Sequence, residues 1–139
     1  MGGLRTIFSY NSERGLTFIL TWTARAIQVL IVGSVLLGVA LLFEINSLVP
    51  WFVFDFIALG WALFVVDSVL TFVRPALSYY FGLVLAVLAL SASLPQSAHW
   101  AFIEEGLLIP SAIFITGSVM QVLIVILVLY YAFSVRRSK

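Results

Sequence analysis

Three charged residues sit where charge is expensive. The stretch WFVFDFIALGWALFVVDSVLTFVRP, from Trp51 to Pro75, is apolar enough to dissolve in lipid yet carries Asp55 and Asp67, and the apolar run before it carries Arg25. A charge near the centre of a bilayer costs at least about 2.5–3.5 kcal/mol on insertion scales, so each needs a partner, a water-filled site or a proton. Arg25 lies 18 positions from Phe43 and Asp67 lies 19 positions from Leu48, counted from the same ends of two antiparallel spans. The two are therefore level, and the spacing predicts a structural ion pair between them. Arg74, one heptad after Asp67 on nearly the same helical face, is a second candidate partner. Asp55 has no basic residue at its depth, where the other spans place Leu36, Val87 and Phe114. It reads as a proton or ion site, or as a carboxylate shallow enough to reach water or the headgroups.

Uncharged polar residues add a second set. In the last apolar run Ser111, Phe114, Ser118 and Gln121 recur at steps of three or four and share a stripe. Gln28, in the first run, lies fairly deep as well. Gln28, Ser111, Ser118 and Gln121 could line a path for an ion or small solute, or they could hydrogen-bond helix to helix, worth about 0.6 kcal/mol per contact.

Other chemistry has little to work with. The chain has no cysteine, which removes thiolate catalysis, disulfides and cysteine–metal sites together. His99 is the single histidine, so a bis-histidine haem within the chain is excluded; a metal would require His99 with Glu104 or Glu105, a spacing that matches no ligand motif. Nucleophile-elbow, zincin, phosphate-loop and dinucleotide-binding motifs are all missing, and no serine has a deep base. No catalytic residue, cofactor or metal is expected.

The elements that position these residues follow from composition and run length. Of 139 residues, 63% are hydrophobic and 9% charged, against about 25% charged in soluble domains. The net charge of +1 and the scattered basic residues give no footprint for nucleic acid. Crossing a 30 Å hydrocarbon core takes about 20 helical residues. Four runs qualify, at about 16–43, 48–73, 76–94 and 107–133. Between them, Ser47 and Pro50 suit a helix entry, Arg74-Pro75 makes a very tight turn, and PQSAHWAFIEEG has room for a short surface helix carrying Trp100 and Phe102. Small residues four apart, Ser34/Gly38, Ala58/Ala62 and Gly82/Ala86, favour close helix packing. The first fifteen residues lack a secretory signal and read as a mature N-terminal arm; MGGLRT also fits the permissive myristoylation pattern.

Basic residues set the orientation. Arg5, Arg14, Arg25, Arg74, Arg136, Arg137 and Lys139 all fall on one side of this topology, and the other side carries Glu44, Glu104, Glu105 and His99. The positive-inside rule puts both termini in the cytoplasm. The expectation is an all-α membrane protein: one domain over 1–139, a compact bundle of four transmembrane helices in a multi-pass chain. Its partners are the lipid bilayer and either other membrane subunits or further copies of itself. The expected function is a noncatalytic integral subunit or stabilising component of a larger membrane complex; the alternative is a small oligomeric proton- or ion-coupled transporter or channel using Asp55 and the polar stripe.

Overall fold

The computed structural model describes the backbone of residues 3–45 and 49–137, and the side chains of residues 17–45, 49–97, 100–101 and 103–136. Ser47, His99, Phe102, Arg5, Arg14, Arg137 and Lys139, singled out above, lie outside the described residues or side chains. Five helices follow in order: α1 (Gly3–Ile45), α2 (Trp51–Val73), α3 (Pro75–Ser93), α4 (Ser97–Glu104) and α5 (Leu108–Arg137). Four of them, all but the short α4, are long and apolar enough to cross a membrane.

Proline sets two of the boundaries. Pro50 precedes α2, and its carbonyl accepts the first amides, from Val53 at 2.9 Å and Phe54 at 3.1 Å. At the other end Pro75 forces Arg74 out of helical geometry, to φ −140° and ψ 71°, and then serves as the first residue of α3, where its missing N–H costs nothing. Arg74 alone therefore separates two antiparallel helices. Pro110 is the third residue of α5, in its first turn, where a missing N–H costs least. The surface helix expected between the third and fourth spans is α4, separated from α5 by Gly106 at φ 69°. The N-terminal arm differs from expectation: it continues α1 as helix from Gly3.

The long helices form a four-cornered bundle in which α1 neighbours α2 and α5, and α3 neighbours the same two; α4 packs on α5. Ile27, Ile31, Tyr79, Ala86, Ile124 and Val128 form the buried core, contributed by α1, α3 and α5. Large apolar side chains cover the outside of every long helix, among them Phe43, Phe72, Val84 and Phe133. Trp51, Phe52 and Trp100 are exposed at the end away from the termini, and Trp22, Tyr80 and Tyr130 toward the end bearing them.

Candidate functional site

The fold brings Asp67 to a place where, among the described residues, it forms no ion pair. Asp67 and Thr71 lie one turn apart on α2, which puts them on one face, and both are fully buried. Across the Arg74-Pro75 turn, Ser78 and Gly82 present the matching face of α3. The Ser78 hydroxyl donates to Asp67 Oδ1 at 2.7 Å and also approaches the Asp67 carbonyl at 3.3 Å. The second carboxyl oxygen lies against Gly82, where an added Cβ would come within 2.7 Å of Oδ2 and 3.3 Å of Ile31 Cδ1. Only glycine leaves room for that carboxyl. Oδ2 and the Thr71 hydroxyl, both buried, have no hydrogen-bond partner among the described residues.

The expected Arg25–Asp67 ion pair is not formed. Arg25 is exposed on the outside of α1, lining a hollow with Thr17, Phe18, Thr21 and Trp22. Depth and azimuth both differ from expectation: the register set by Gln28 and Thr71 brings Asp67 level with Val32, about two turns from Arg25, and Arg25 is two positions, or about 200°, from both Thr23 and Ile27, which face inward. Gln28 instead reaches α2, its side-chain amide donating to the Thr71 carbonyl at 3.2 Å. Arg74 is no partner either, since it is exposed at the helix end, outside helical geometry.

The remaining candidates scatter. Asp55 is exposed one turn into α2, between the exposed Phe52, Phe56 and Leu59. Gln121 is buried and donates to Ser34 Oγ at 3.2 Å, while Ser34 Oγ itself donates to the Leu30 carbonyl at 2.9 Å. Among the described residues Gln121 Oε1 and the buried Ser111 Oγ have no partner. Ser118 is half-buried. The stripe on α5 thus meets α1 through Gln121, and Phe114 within it packs edge-on against Trp100 of α4 at 5.5 Å. Among the described residues no three His, Asp or Glu side chains gather to hold a metal ion.

Several contributors were missed: Ser78, Thr71, Gly82 and Trp61, whose indole N–H donates to the Val35 carbonyl at 3.0 Å. One signal was available. Asp67 lies seven positions before Arg74 and Gly82 seven after Pro75, so a tight hairpin at that junction sets the two opposite each other. Tyr79, also buried, points its hydroxyl at the Ala24 carbonyl at 3.5 Å and meets Tyr131 edge-on at 5.2 Å, closing the core below Asp67. No family model matches the chain, and neither a curated protein nor a solved structure does.

Proposed function

We propose that the chain is a noncatalytic integral component of a larger membrane assembly. The observation that carries this reading is how the interior polar side chains are used. Gln28, Trp61, Ser78 and Gln121 each donate across a helix boundary, so they hold helices together rather than face a shared cavity. The outer surface is apolar along all four long helices, suited to lipid or to the membrane spans of another subunit. The test is purification of the full chain in mild detergent. Stoichiometric association with a larger membrane complex, and failure of that complex to assemble when the chain is deleted, is the expected result. A free homo-oligomer that leaves all membrane complexes intact on deletion contradicts it.

The orientation belongs to the same proposal. Arg25, Arg74 and Arg136 stand toward the end bearing the termini, and Glu44, Glu104 and Glu105 at the other, which supports cytoplasmic termini under the positive-inside rule. Because the chain has no cysteine, Arg136→Cys and Glu105→Cys report their sides without background. A membrane-impermeant maleimide added to intact cells should label Glu105→Cys and spare Arg136→Cys.

A second reading rests on a different observation, the two orphan oxygens of Asp67 and Thr71 one turn apart in the interior. A buried carboxyl without a cation marks a functional site by default in a membrane chain. In this reading the protein is a small oligomeric proton- or ion-coupled transporter, with Asp67 at its centre. Asp55, exposed on one copy, contributes where a second copy covers it. Proton- or cation-driven flux in proteoliposomes that Asp67→Asn abolishes would establish it over the first.

A further inference from the structure

The two arginines that do not pair with Asp67 stand together elsewhere. Gln28 of α1 bonds to Thr71 of α2, which fixes the antiparallel register of these helices; three residues further toward the termini on each, Arg25 comes level with Arg74. Both are exposed. Arg25 lies 60° round α1 from Gln28 at 100° per residue, on the side of α1 that flanks α2 but faces outward. Neighbouring helix axes are about 8–10 Å apart, a separation that two arginine side chains can bridge toward one small group.

Charge at this level is one-sided. Among the described residues no acidic side chain pairs with either arginine: Asp67 is buried on Ser78, and Glu44, Asp55, Glu104 and Glu105 lie toward the opposite end. The level itself is that of a membrane boundary. Arg25 is 20 residues from Ile45, or about 30 Å along α1 at 1.5 Å per residue, the thickness of a hydrocarbon core. Beside Arg25 a hollow of about 550 Å³ opens along α1 on the side toward the termini. Its wall carries Thr17 and Thr21 together with the edge-to-face pair Phe18 and Trp22, whose rings are 6.0 Å apart. Amphipathic indole at headgroup height and cationic groups above an apolar wall are what a phospholipid presents its two halves to.

We infer that Arg25 and Arg74 form one binding site for the phosphodiester headgroup of an anionic phospholipid, seated beside the hollow along α1 that Arg25 lines. The guanidinium groups bind the phosphate oxygens, and the lipid's acyl chains run up the apolar outer faces of α1 and α2. The inference rests on the helices crossing a bilayer and is independent of which assembly the chain joins.

The test uses the full chain, reconstituted in nanodiscs and then examined by native mass spectrometry after titration with phosphatidylglycerol or phosphatidylcholine. Wild type should retain phosphatidylglycerol in preference to phosphatidylcholine. At about one unit of surface lipid attraction per cation, Arg25→Gln and Arg74→Gln should each weaken retention about fivefold, and the double variant about 30-fold. Arg25→Lys with Arg74→Lys should keep most of the preference, because a lysine still supplies the point charge. Failure of wild type to enter nanodiscs overturns the membrane reading. Normal insertion with equal retention of both lipids, unchanged retention in the double Gln variant, or displacement of the lipid by millimolar inorganic phosphate overturns the lipid site.

Discussion

The seam between α1 and α2 is built differently at its two ends. Toward the termini it is polar: Gln28 donates to the Thr71 carbonyl, and on the same turn of α2 Asp67 leans on Ser78 and Gly82 of α3. Toward the far end it is a matter of shape, with the Trp61 indole lying close against Gly38 and anchored by its N–H on the Val35 carbonyl. A glycine stands at each place, accommodating a carboxyl at one and an indole at the other. The difference teaches that lipid leaves a bundle two ways to fix register, directional bonds and close approach, since apolar surface alone gives no preference for helix over lipid.

Substitutions that crowd either glycine should have the largest effects. Gly38→Ala drives a Cβ into a rigid ring anchored through its N–H on Val35, so unfolding in mixed detergent micelles should become easier by about 2–3 kcal/mol, the upper part of the range for overpacking. Trp61→Leu in that background should recover part of the loss. Gly82→Ala meets the end of a shorter side chain and should cost about 1–2 kcal/mol. If the carboxyl is the obstacle, adding Asp67→Ala reduces that cost; equal costs with and without Asp67 would separate Gly82 from the polar end altogether.

Removing single hydrogen bonds comes next. Ser78→Ala and Gln121→Leu should each cost about 0.6 kcal/mol and no more than about 1.7 kcal/mol, measured by the same unfolding assay, and should be additive because they join different helix pairs. Asp67→Asn should cost less than Asp67→Leu, since an amide oxygen still accepts from Ser78. The smallest effect is expected at the exposed carboxylate: Asp55→Asn should leave the unfolding midpoint unchanged. A loss there comparable to Ser78→Ala would mean that a second copy or another subunit covers Asp55.

The number of long helices was legible because run length is a one-dimensional property, and 20 apolar residues leave few alternatives. Their turns were legible for the same kind of reason, as Pro75 dictates the geometry of Arg74 whatever surrounds it. The site was less so. Depth along a helix can be counted from its end, but the direction a side chain faces depends on which neighbours the helix has, and that is a property of the bundle. Arg25 and Asp67, level when counted from the ends of their spans, stand about two turns apart in the register that Gln28 and Thr71 set, and they face apart as well. Ser78, by contrast, looked like an ordinary serine in the least charged span, and only closing the hairpin around Arg74-Pro75 places its hydroxyl on the carboxyl.

That hairpin bears on how the chain is made. With one residue between α2 and α3, the pair is as near to a single unit as two helices can be, and Asp67 meets Ser78 and Gly82 as soon as α3 has been synthesised, before α5 exists. A lone α2 would carry its deep carboxyl into hydrocarbon at a cost of about 2.5–3.5 kcal/mol, whereas a closed hairpin brings its own donor along. In a bilayer, the tight turn would make α2 and α3 enter as a pair rather than one at a time.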